Sequence, residues 1–122
     1  MTVPDVPKDA VQMVTVTIER HVGTVVVVVT GEVDLLTAPQ LEQPLLTTLT
    51  EHPSVLVIDL LGVSFLSSAG LAVVMKAHEK AGPGTRIHVV AAGAATLRPL
   101  ELTGLARQLD VYATRADALN SR

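Results

Sequence analysis

The sequence predicts an α/β fold: a mixed sheet of about five strands with about four helices packed against it, in the order ββαβαβαβα. Three stretches carry this prediction. Val55-Leu56-Val57-Ile58-Asp59-Leu60 is an aliphatic run without alternation, as in a strand covered on both faces. After a short loop, Leu71, Val74, Met75 and His78 recur at helical spacing, with Lys76, Glu79 and Lys80 on the far side. Met13 to Arg20 and Thr24 to Thr30, joined by His21-Val22-Gly23, read as an antiparallel hairpin.

In chain order, Met1 to Gln12 carries Pro4 and Pro7 with mixed charges and no periodicity. It reads as a flexible leader, and residues 13–120 as a single domain. Val14, Val16 and Ile18 alternate with Thr15, Thr17 and Glu19, the pattern of a half-buried strand. Thr24 to Thr30 is nearly pure valine and suits a sheet interior. Gly31 to Asp34 ends that strand. Thr37 with Gln40 three residues on suggests a capping box, and Leu41, Leu45 and Leu49 mark the buried face of the helix that follows. Pro44 removes a hydrogen bond inside this helix and predicts a kink or a later start. Ala81-Gly82-Pro83-Gly84 is a stop, and Arg86 to Ala92 is a strand. Gly93 to Leu102 reads as a short helix interrupted near Pro99, with Gly104 as its stop. Gln108 to Tyr112 reads as a last strand, and Thr114 with Asp117 as the cap of a final helix through Leu119.

Composition narrows the function. The chain has 122 residues, 48% hydrophobic and 17% charged, which excludes disorder over most of its length. Phe65 and Tyr112 are its aromatics, so bases have almost nothing to stack on. The net charge is −3 and the basic residues are scattered, which argues against direct nucleic-acid or anionic-membrane binding. No cysteine is present, and the run Val25 to Val29 is far too short to cross a bilayer. With no signal-peptide pattern at the N-terminus, a cytoplasmic location is expected.

The chemistry concentrates at Ser67-Ser68. Ser67 sits where an N-cap belongs and Ser68 where the helix begins, so free N–H groups and the positive dipole end point at these hydroxyls. A phosphate there is well accommodated. The plainer alternative is a cap followed by a small residue at a tight junction. Asp34, between a strand and a helix, suits either a partner contact or an ordinary turn. Ser68 lacks the glycine two residues earlier that a nucleophile elbow requires, and no histidine is tied to it by local spacing, so an enzyme is not expected. His78, on the apolar stripe, reads as a partly buried core histidine. No metal-ligand spacing and no phosphate-binding glycine motif occurs. In such sheets ligands meet the C-terminal strand ends, which here gather Gly31 to Thr37, Val63 to Gly70 and Gly93 to Ala95.

Three motifs in this order resemble the STAS domain in its small single-domain form, the bacterial anti-sigma factor antagonist. They are Gly31-Glu32-Val33-Asp34 leading to Pro39, Val55 to Leu71 with its Ser67-Ser68-Ala69-Gly70-Leu71 loop, and Leu102-Thr103-Gly104-Leu105 with the C-terminal helix. The resemblance implies binding to an anti-sigma factor, usually a serine kinase, with release of a sigma factor. Phosphorylation of Ser68, or alternatively Ser67, would break the complex and a phosphatase would restore it. ATP and magnesium would come with the kinase; no cofactor of the chain's own is implied. The implied partner-binding residues are Glu32, Asp34, Thr37, Leu66, Ser67, Ser68, Ala69, Gly70 and Leu71. The family's usual aspartate before the acceptor is Ser67 here, which leaves two alternatives open: a STAS scaffold without a phosphorylation cycle, or an anion- or nucleotide-sensing module. A small hydrolase using Ser68 is the third.

Overall fold

The structure, a computed structural model, describes residues 14–121. The leader expected over residues 1–12, and Met13, lie outside the described residues. The elements are β1 (Val14–His21), β2 (Thr24–Val33), α1 (Ala38–Leu49), β3 (Val55–Leu66), α2 (Ser68–Lys80), β4 (Arg86–Val90), α3 (Leu97–Leu102), α4 (Leu105–Gln108), β5 (Asp110–Tyr112) and α5 (Arg115–Asn120). The five strands lie in sequence order, β1-β2-β3-β4-β5. β1 pairs antiparallel with β2, and every later pair is parallel.

The valine run of β2 shows why this chain makes a covered sheet. Val25, Val27 and Val29 point into the main core with Leu56, Ile58 and Leu60 of β3 and with Leu41, Leu45 and Val74 of the helices. Val26 points the other way and meets Val57, Val90 and Ala118 of α5. Both faces are dry, so alternation disappears from the sequence. Each such valine contributes about 1.5 kcal/mol or more through burial. On the first face α1 and α2 pack against each other; on the second lies α5, against β3, β4 and β5.

Polar groups tie α5 down. His88 is fully buried on β4, with its Nδ1 2.9 Å from the Ala118 carbonyl and its ring against Tyr112 at 5.0 Å between centroids. Arg115 donates to Asp59 at 2.9 Å and to Glu19 at 3.0 Å. The hydrogen bond to Asp59, above all, raises the Arg115 pKa. Asp59 is nearly buried, so this arginine compensates a charge that would otherwise be costly.

Four expectations need correction. The segment after β4 forms two short helices, not one, because Gly104 takes a left-handed φ of 83° between them, which makes five helices among the described residues. β3 does not stop at Leu60. It runs on to Leu66 beside the end of β2, across register shifts that break any alternation. α1 passes through Pro44 without starting later, and Gln40, whose carbonyl loses its partner there, is exposed. Met75 is only half-buried, while His78 is partly buried as expected; Gly70, Leu71, Val73, Val74 and Ala77 carry the packed face of α2.

Candidate functional site

β2, β3 and β4 are parallel, so their C-terminal ends share one edge of the sheet. β2 and β3 extend furthest, with Val33 opposite Leu66. The Ser67 N–H donates to the Val33 carbonyl at 2.9 Å and holds the start of α2 against the end of β2. Ser67 is extended (φ −82°, ψ 175°), as an N-cap must be, and its hydroxyl accepts from the Gly70 N–H over a long 3.4 Å. Ser68 is the first helical residue and is exposed, and its hydroxyl makes no hydrogen bond among the described residues. No acidic residue stands in the first turn of α2, so the positive dipole end is not neutralised from within. Gly70 is required by space: a Cβ there would lie 2.7 Å from both the Leu66 Cδ1 and the Val33 Cγ1.

The neighbouring start of α1 is built differently. The expected capping box of Thr37 with Gln40 does not form. Asp34 caps instead, accepting from the N–H groups of Leu36 and Thr37 at 2.9 Å each. The Thr37 hydroxyl turns back to the strand, donating to the Glu32 carbonyl at 2.7 Å and accepting from the Asp34 N–H at 2.9 Å. The backbone bond from Thr37 is the largest cause holding the Asp34 carboxyl below its ordinary pKa. This turn pushes Leu35 and Leu36 outward, where they are 77% and 78% exposed.

The named candidate residues thus fall into two groups. Thr37, Leu66, Gly70 and Leu71 are buried and shape the edge from beneath. Glu32, Asp34, Ser67 and Ala69 are half-buried, and Ser68 is exposed. The Gly93–Ala95 loop follows the shorter β4; Gly93 takes φ 83°, and a Cβ on it would meet nothing within 4 Å. Sequence reasoning missed the apolar rim of Leu35, Leu36 and Phe65, the last 50% exposed. A hydrophobic residue inside a turn, or beside a strand bulge, was the available signal. Among the described residues, no group of three or more His, Asp or Glu is placed to hold a metal ion, and no helix is long and apolar enough to cross a membrane.

The STAS domain family model matches residues 15–118, nearly all of the described chain. The chain belongs to the STAS domain family. Its relatives include the anti-sigma-F factor antagonist RsfB of Mycobacterium tuberculosis, 41% identical over 106 residues that span 87% of each protein. A solved anti-sigma factor antagonist from Mycobacterium paratuberculosis superposes with a TM-score of 0.84 at 46% identity, over 87% of this chain and 91% of that one. The Bacillus cell fate determinant SpoIIAA, solved in its phosphorylated form, shares the fold at a TM-score of 0.65 and 19% identity, over 87% of this chain and 97% of its own. In this STAS domain the Ser67-Ser68 junction therefore stands on a fold held in common with these relatives.

Proposed function

We propose that this STAS domain is an anti-sigma factor antagonist. It binds an anti-sigma factor through the Ser68 edge, frees a sigma factor, and is switched off by phosphorylation of Ser68. The anti-sigma factor is a serine kinase that brings ATP and magnesium, and a phosphatase reverses the mark. The chain acts in the cytoplasm as a binding module rather than an enzyme. One observation carries the reading: Ser68 is exposed, its hydroxyl makes no hydrogen bond among the described residues, and it opens a helix beside the uncovered apolar rim of Leu35, Leu36 and Phe65. The names of the mycobacterial relatives support the same partner class.

The switch follows from charge. A rim of exposed leucine and phenylalanine favours a partner that buries it. A phosphoserine adds about −1.5 to −2 charges beside that surface. The charge must then be desolvated or meet whatever lies opposite, which costs several kcal/mol where signs match. Since ~1.4 kcal/mol is tenfold in affinity, a nanomolar complex becomes roughly micromolar without any change of fold. Ser67 is the poorer acceptor because its hydroxyl is engaged with Gly70 and it is less exposed.

Intact-mass and tandem spectrometry after incubation with ATP, magnesium and candidate anti-sigma kinases from the same genome test this reading. One phosphate on Ser68 is expected. A phosphate on Ser67 moves the site by one residue. A stable complex with no modification converts the domain into a constitutive scaffold, and the absence of both binding and modification removes the functional reading.

A further inference from the structure

The exposed side of α2 continues away from Ser68. Ser68, Ala72, Lys76 and Lys80 are spaced by four residues and all are exposed, so they form one stripe along the helix. At 1.5 Å per residue, Lys80 lies about 18 Å along the axis from Ser68. Beside this stripe runs a groove between α1 and α2. Its upper part, ≈ 380 Å³, is walled by Leu35, Ala38 and Pro39 on one side and by Ala69, Ala72 and Val73 on the other. Its lower part, ≈ 390 Å³, has Leu46 and Leu49 as apolar lining with His52, Lys76 and Lys80 beside them. Lys76 lines both parts, and Ala69 of the upper part adjoins Ser68, so the two parts lie in line below the Ser68 edge.

The charge in this groove runs against the protein's net charge of −3. Its one carboxylate, Glu42, is spent on Lys76 at 2.6 Å. Lys80 has no ion-pair partner among the described residues. An apolar floor with the unpaired Lys80 at its foot complements a chain segment that alternates leucine or phenylalanine with aspartate or glutamate.

We propose that the α1/α2 groove receives an acidic, apolar-studded segment of the anti-sigma partner, which runs from the Ser68 edge down to Lys80; this rests on the functional reading above. The segment's negative charge also gives the switch its sign. A phosphate at the head of the stripe repels the acidic chain that Lys80 at its foot attracts.

The test takes Ser68→Ala as the unphosphorylatable background and the full-length anti-sigma factor as the probe, with calorimetry at low and high salt. Lys80→Glu is expected to weaken binding about tenfold at low salt and to flatten its salt dependence. Glu42→Gln releases Lys76 and is expected to tighten binding about threefold. Lys80 is exposed and Glu42 half-buried, and unchanged thermal melts exclude a folding defect. If Ser68→Ala binds but neither change moves affinity or salt dependence, the groove proposal fails and the functional reading stands. If Ser68→Ala binds no anti-sigma factor, both fall together.

Discussion

Two helices start side by side at the same sheet edge, and their polar groups are used in opposite ways. At the start of α1, Asp34 and Thr37 are fully engaged. Between them they satisfy the N–H groups of Asp34, Leu36 and Thr37 and the Glu32 carbonyl. At the start of α2 the Ser67 hydroxyl makes one long bond and the Ser68 hydroxyl makes none among the described residues. The first start is closed and holds shape. The second leaves a hydroxyl free to gain charge without dismantling the helix behind it. On the proposed reading, shape and switch are divided between neighbouring loops, and altering one should leave the other largely intact.

The largest expected effect is on binding. Ser68→Asp should weaken the anti-sigma complex about a hundredfold while the melting temperature stays near that of the parent. Ser68→Ala should bind like the unphosphorylated parent. Equal binding by Ser68→Asp and the parent would break the division between the two starts. Thr37→Val should do the reverse. It leaves the Glu32 carbonyl and Asp34 N–H without their buried partner and costs about 1–3 kcal/mol in denaturant unfolding. Ser67→Ala should cost less, about 0.5–1 kcal/mol, because the bond it removes is long.

The smallest effect is on pH response. Asp34 is held below its ordinary pKa by bonds that exist only in the folded chain. Its contribution is present above the unfolded carboxyl pKa and is lost as pH falls through the lowered folded value. Amide shifts and exchange of Leu36 and Thr37 should therefore stay constant down to the ordinary carboxylate range and change only below it. Titration of those amides at the ordinary value would show that the α1 start is looser than its geometry.

Much of this arrangement is legible in residues that act locally. Val25 to Val29 and Val55 to Leu60 name the sheet interior by composition alone. Ser67 and Thr114 cap as their spacing predicts, each accepting from the N–H three residues on. What escaped depends on competition or distance. Asp34, Thr37 and Gln40 all offer to cap one helix, and spacing does not rank them. The extension of β3 through Gly62 and Ser64 carries one extra residue against β2 at each of two register shifts, and a Cβ at Gly62 would meet the Thr30 Cγ2 at 2.6 Å. The Arg115 clasp joins Asp59 and Glu19 across 56 and 96 residues, which no window of sequence contains. The apolar rim escaped because an exposed leucine in a turn looks like any other leucine until the turn is built.

The most direct test of the division between the two starts uses a Ser67→Ala chain, phosphorylated to completion by its cognate kinase. Its dissociation constant for the anti-sigma factor is then measured beside that of the same chain without phosphate. A loss of about a hundredfold or more, with an unchanged melting transition, is the expected result. Equal affinities, or a loss that appears only because the domain has melted, would contradict the claim that charge at Ser68 gates binding on an otherwise rigid edge.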